Sequence, residues 1–373
     1  MDKQKSKIEY KPAYTDEDTG IGLLVYIVMQ GIIFFIARGL LSAGVPYTNW
    51  FYYIYAFFVE AVFALAVLFV CGVRKRSFVN ASGFNKKINF ELAGLCIGIS
   101  LICLLGLGSV SDFFLQILEW LGYSSSGAGI QVTTFGELVI YTILIAIMPA
   151  ICEELLFRGL MLNGLAKYGK NIAVYVSAFA FMIMHGSPDQ TVHQFILGVI
   201  FGYIVYYTGN LWLTIIIHFC NNFFVLLFNF IYNISSSGNV TDTATDVIAQ
   251  PASIGYEIVN YIISVVLVVL SIYLIYSVIK RIVIENKNLN GLPNYVEEKD
   301  KKFFGIEKDL ENSNEQQENV VIVEKADKEW EEQNIKTDHK KPKLSLLAII
   351  LLVAGNIYLI VEWIIALVQG FAG

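Results

Sequence analysis

Charge is scarce in this chain. Only 16% of its 373 residues are Asp, Glu, Lys or Arg, while 56% are hydrophobic, against roughly 25% and 45–50% in soluble domains. That balance excludes the two or three soluble domains that length alone would suggest. Cysteine is sparse, and Cys71, Cys96, Cys103, Cys152 and Cys220 all fall within apolar runs. They read as small buried hydrophobes, not as a disulfide framework. The first twenty residues lack the basic, small-residue pattern of a cleaved signal peptide and include Asp16, Glu17 and Asp18, so the first apolar run is expected to remain as an anchor. No soluble repeat period is visible. The net charge of −6 reflects acids concentrated in one polar stretch, and no nucleic-acid partner is expected.

What the chain has instead is long apolar blocks. A helical crossing of a bilayer needs roughly 20 such residues. Candidate spans run near 21–43, 50–73, 92–118, 137–162, 171–186, 193–208, 210–232, 255–279 and 344–368, the fifth and sixth being short. The expected fold is therefore all-α: a polytopic transmembrane bundle of about eight to nine spans. Residues 1–20 form a polar tail, 21–279 the bundle, 280–343 a charged and flexible cytoplasmic linker with room for a short helix around Val320 to Trp330, and 344–368 a closing span. Arg74-Lys75-Arg76, Lys86-Lys87, Lys167, Lys170 and Lys280-Arg281 follow the second, fourth and eighth spans. Excess Lys and Arg marks cytoplasmic loops, so the N-terminus is expected in the cytoplasm and the C-terminus outside. The expected setting is a bacterial plasma membrane. Asn233-Ile234-Ser235 and Asn239-Val240-Thr241 are sequons on the expected outer loop.

Ionisable groups inside spans cost about 2.5–3.5 kcal/mol each on insertion scales, so each needs a partner or a task. The densest cluster is Pro149-Ala150-Ile151-Cys152-Glu153-Glu154-Leu155-Leu156-Phe157-Arg158. Glu154 and Arg158 are four apart on one helix face and can pair. Glu153 points about 100° away and lacks that partner, which suits a general base. Pro149 removes a backbone hydrogen bond one turn earlier and can kink the helix. His185 ends the fifth span, and His218 lies four residues before Asn222 in the seventh. His193 reads as interfacial and His339 as a tail residue. Glu60 and Glu362 read as inter-helix hydrogen-bonders, Cys152 as structural, and Gly198 with Gly202 as a close-packing pair.

Glu, two His and Asn suit hydrolysis. A Glu–His pair can deprotonate a water, and a second His with an Asn amide can donate to an oxyanion. No serine nucleophile elbow or His-Glu-x-x-His spacing occurs. Glu153, His185 and His218 could alternatively hold zinc with an open water position. These residue types leave both mechanisms open.

The three motifs, Glu153-Glu154…Arg158, Phe181…His185 and His218…Asn222, resemble the CPBP family, the ABI or CAAX-protease-like intramembrane peptidases. The flanking Phe157-Arg158-Gly159 and the spacing of Gly198, Gly202 and Thr208-Gly209 are also similar. The resemblance covers about residues 135–225. It implies a multi-helix peptidase with its site in a membrane cavity and peptide or protein substrates presented from the lipid, lipidated CAAX-like or bacteriocin-type peptides among them. It implies that Glu153 and His185 activate water, that His218 and Asn222 form the oxyanion side, and that Glu154 and Arg158 support them. Many members are labelled metalloproteases, yet a metal-free glutamate mechanism is favoured for the prenyl-protein type, so no cofactor is expected. A non-catalytic binding or immunity protein on the same fold is the first rival, and a proton-relay transporter the second.

Overall fold

The computed structural model describes residues 13–125, 130–237, 254–304 and 344–372. The expected helix near Val320, His339 and the Asn239 sequon lie outside them. Among the described residues there are helices and no strands. Each of the nine expected spans corresponds to one helical crossing or short apolar helix. These are α1 (Asp16–Ser42), α2 (Asn49–Arg74), α4 (Phe90–Trp120), a composite fourth span from Phe135 to Tyr168, α8 (Lys170–Met184), α9 (Thr191–Thr208), α10 (Leu211–Ser237), α11 (Ile254–Asn290) and α13 (Leu346–Ala372). Between α2 and α4 sits the single turn α3 (Phe78–Ala81). Eight of the crossings are long and apolar enough to span a bilayer, and α8 is shorter.

Polar caps set where the helices start. Thr15 and Asp18 form a capping box on α1, Thr48 receives the Phe51 N–H, Asn89 the Leu92 N–H, and Thr134 pairs reciprocally with Glu137 at the head of the fourth span. Each satisfies backbone donors that the first helical turn leaves free. Gly209 closes α9 in the left-handed region at φ 60°, and the Gly209 carbonyl lies 2.6 Å from where a Cβ on Gly83 would sit.

Basic residues at the ends of α2 and the fourth span meet the acidic start of α1. Asp16 binds Lys167 at 2.8 Å and accepts the Ser345 N–H at 3.0 Å; Asp18 binds Arg74 at 2.7 Å and Arg76 at 3.0 Å. This knot ties α1 to the ends of α2 and the fourth span and to the start of α13. It also fixes the close approach of Gly164, in the α7 turn (Asn163–Leu165), where an added Cβ would lie 2.6 Å from the Thr15 carbonyl oxygen. Gly164→Ala is expected to destabilise by about 1–3 kcal/mol through overpacking against backbone, despite its gain in helix propensity. A lowered thermal unfolding midpoint in detergent is the measurement.

Two expectations on the polar segments change. The stretch from residue 280 does not begin as a loose linker. α11 continues to Asn290, because Ile282, Val283 and Asn286 are fully buried. Asn286 donates to the Thr208 carbonyl at 3.1 Å and accepts from Asn210 at 3.1 Å, clasping α11 to the α9–α10 turn. A further helix, α12 (Glu298–Phe304), docks through Lys170–Asp300 at 2.5 Å and Phe304 on Tyr207. Asp300 is buried against Lys170, a pairing that composition alone does not show. Asn233 is likewise not on a loop. It lies within α10, and its amide donates to the Val132 carbonyl at 3.1 Å.

Candidate active site

The fourth span is not a uniform α-helix. It runs α5 (Phe135–Tyr141), a π-helical stretch Thr142–Ile147, α6 (Met148–Glu154), a second π-helical stretch Leu155–Leu162, then α7. Pro149 has no N–H to give the carbonyl four residues earlier, which is that of Ile145. Asn222 Nδ2, from α10, donates to that carbonyl at 2.9 Å. The proline thus loosens the helix, and an amide from a neighbouring helix restores the bond. π-bulges of this kind concentrate at functional sites, and here they bracket Glu153 and Glu154.

Glu154 and Arg158, both fully buried, pair at 2.8 Å, as their i,i+4 spacing predicts. Arg158 also donates to the Gly198 carbonyl at 3.2 Å and lies over the rings of Phe181 (4.3 Å) and Phe201 (5.2 Å). Gly198 is where α8 and α9 approach closely; a Cβ there would sit 3.0 Å from Ala178 Cα. The glycine therefore serves packing and at the same time brings a carbonyl to the guanidinium.

His218 connects the two carboxylates. Its Nδ1 is 3.2 Å from Glu154 Oε1 and its Nε2 3.9 Å from Glu153 Oε2. With Nδ1 donating to Glu154, Nε2 is the nitrogen that faces Glu153. Glu153 is buried, and its Oε2 has no hydrogen-bond partner. A buried carboxylate oxygen left free is expensive, and it is the atom a base would use.

His185 and His218 flank one side chain: ring centroids lie 4.9 Å and 6.0 Å from that of Phe181. His185 Nδ1 is 2.8 Å from the Phe181 carbonyl. Since a carbonyl only accepts, Nδ1 carries the proton and Nε2 keeps its lone pair. α8, fifteen residues long, spans about 22 Å, less than the roughly 30 Å hydrocarbon core, so His185 ends at membrane depth. The histidine recorded beside Glu153 is His218, while His185 has its contacts to Phe181. Asn222 spends one amide hydrogen on Ile145 and accepts from Asn221 at 3.3 Å, leaving its second amide hydrogen as a donor.

Zinc requires a converging donor set. Among the described residues, no group of three or more His, Cys, Asp or Glu side chains is arranged to hold a metal ion. Glu153, His185 and His218 do not form one as they stand. The five cysteines are buried and free. Two polar groups beside the site have no motif signal. Asn221 is buried with a partnerless Oδ1, and Glu60 in α2 has a buried, partnerless Oε2 instead of the expected inter-helix bond. Only their position inside an apolar run hints at either one.

Searches among curated proteins and among solved structures returned no match. The family model described as type II CAAX prenyl endopeptidase, Rce1-like, matches residues 135–224, so this stretch, from the head of the fourth span to just past Asn222, is similar to the CPBP, or CAAX-protease, family of intramembrane endopeptidases.

Proposed function

We propose that this protein hydrolyses peptide bonds within the membrane with Glu153 as general base. The observation that carries the reading is the division of labour between adjacent carboxylates. Glu154 Oε1 is held by Arg158 at 2.8 Å and His218 at 3.2 Å, whereas Glu153 Oε2 has no hydrogen-bond partner and stands 3.9 Å from the same histidine. In the proposed reaction Glu153, with His185 Nε2 orienting the nucleophile, takes a proton from water as the water oxygen bonds to the scissile carbonyl carbon. The resulting oxyanion forms on the side of His218 Nε2, whose ring is held through Nδ1 by Glu154, and receives the second amide hydrogen of Asn222. The C–N bond then breaks, and the proton on Glu153 passes to the leaving nitrogen.

An apolar groove of about 360 Å³ supports a lipid-borne substrate. It is lined by Trp50, Tyr53 and Phe57 of α2 and by Ile140, Ile143 and Leu144 of the fourth span, the span that also carries Glu153. A peptide ending in a prenylated cysteine plus three residues is the first substrate to try. Reconstituted protein is expected to release the terminal tripeptide, read by mass spectrometry, and to process the unlipidated peptide roughly tenfold more slowly, because remote binding energy contributes to turnover. Activity is expected to survive exhaustive chelation. Loss restored by added zinc would bring the metal reading back, and no cleavage of any lipidated or bacteriocin-type peptide would favour the binding-protein alternative.

A further inference from the structure

Asn221 lies ten residues from Leu211 and sixteen from Ser237, the ends of α10. Those intervals are about 15 and 24 Å of helix, too far for its side chain to reach either interface. An amide side chain can donate two hydrogen bonds and accept two. Asn221 is buried. Its Nδ2 donates to Asn222 Oδ1 at 3.3 Å, and its own Oδ1 has no partner. An enclosed carbonyl oxygen without a donor costs more than an apolar group of the same shape. Packing alone favours leucine at this position. What the amide supplies in return is its bond to Asn222.

The geometry of Asn222 shows what that bond does. Its Nδ2 donates to the Ile145 carbonyl of the fourth span at 2.9 Å. One hydrogen bond leaves an amide free to swing about the N–H···O line. A second, made at the other atom of the same planar group, removes that freedom. The Ile145 carbonyl holds the nitrogen end and Asn221 holds the oxygen end. The amide plane is thereby fixed, and with it the direction of the remaining N–H. A donor fixed in advance needs no reorientation when charge develops on the substrate. The bond also runs in the useful sense. Donation to Asn222 Oδ1 draws electron density onto that oxygen, which makes the remaining hydrogen on Nδ2 a stronger donor, as in any hydrogen-bonded chain.

We propose that Asn221 is a positioning residue of the hydrolytic site, acting through Asn222 by fixing and polarising the amide that donates to the oxyanion. The proposal rests on the peptidase reading. Asn221 itself touches no substrate and adds no proton transfer to the reaction above. Its effect is greatest when the carbonyl oxygen carries negative charge, so it acts on turnover and not on substrate binding.

The test is a double-mutant cycle on the reconstituted full-length protein with the lipidated peptide as substrate: wild type, Asn221→Leu, Asn222→Ala and the two combined. Asn221→Leu is expected to lower kcat about tenfold, a part of the roughly 10²–10³ that a whole oxyanion donor carries. KM stays unchanged, and the melting midpoint stays level or rises, since leucine brings no orphan acceptor. Asn222→Ala is expected to lose more, and adding Asn221→Leu to it to lose nothing further, because the first residue acts only through the second. Asn221→Gln keeps the donor and is expected to recover part of the rate. Asn221→Ala, which lacks the donor and cannot clash, carries the same expectations for kcat and KM where the leucine variant fails to fold. Full kcat in the leucine or alanine variant would overturn the proposal. So would additive losses in the cycle, the mark of a role independent of Asn222. A wild type that cleaves no peptide would remove the peptidase reading and this proposal with it, whereas a wild type that cleaves and is indifferent to Asn221 removes the proposal alone.

Discussion

Glu153→Gln is expected to lower hydrolysis by about 10²–10⁴-fold, the range associated with losing a positioned general base, while leaving the fold intact. Glutamine keeps the shape and one hydrogen-bonding oxygen, but it cannot accept the proton of water. The substitution should cost little stability, since no hydrogen bond or short ion pair anchors Glu153 Oε2 in the bundle. Elution as a monodisperse species with an unchanged melting midpoint, alongside loss of product, is the expected pair of results. Full activity in this variant would remove Glu153 from the reaction. Unchanged substrate affinity measured with the same variant would show that binding and bond cleavage are separable.

Arg158→Ala should act on the opposite axis. It removes the 2.8 Å ion-pair partner of Glu154, a bond to the Gly198 carbonyl and two ring contacts, and leaves a carboxylate buried at zero exposure. Breaking a buried pair from one side typically costs about 3–5 kcal/mol, so Arg158→Ala is expected to lower the melting midpoint steeply or abolish recovery from membranes. Arg158→Lys does not rescue fully, because a point charge cannot reach Glu154 and the Gly198 carbonyl in the same planar geometry. Replacing Glu154 and Arg158 together by leucines should recover much of the stability, yet it leaves His218 Nδ1 without its acceptor and should remain inactive. Stability without activity in the double variant is the outcome that assigns the pair to holding His218. A double variant as unstable as Arg158→Ala would make packing, not charge, the main term.

How much of this could be read from the residues differs by feature. The spans were legible because apolar run length is a direct demand of the bilayer, and the Glu154–Arg158 pair because i,i+4 spacing fixes a shared helix face. The nearness of His218 to both carboxylates was not. It depends on how α10 rotates against a span widened by two π-helical stretches, and those arise from Pro149 and packing jointly. The docking of α11 past residue 280 was hidden because Lys, Arg, Glu and Asn read as solvated until their partners on α4, α8 and the α9–α10 turn are known. Arg281 on Glu91 at 2.9 Å is one such case. Glu60 and Asn221 carry no spacing signal at all; what marks them is a polar atom that burial leaves without a partner. The docking of α13 along α1 also needed coordinates, since the two stretches share no pattern in sequence.

That last contact bears on how the molecule is made. α1 and α13 lie side by side, with Gly20 against Leu351 and Gly355 against Leu23, although more than three hundred residues separate them in the chain. During synthesis α1 enters the bilayer before α13 and waits with that flank against lipid until α13 is delivered. Lipid tails are as apolar as the leucines they stand in for, so the wait is cheap for the apolar flank. Asp16 is different, because its contact with the backbone of Ser345 cannot form before then. The seam between α1 and α13 is therefore zipped from its polar end only once α13 has been made, and a ribosome stalled before it would leave α1 open along that one side.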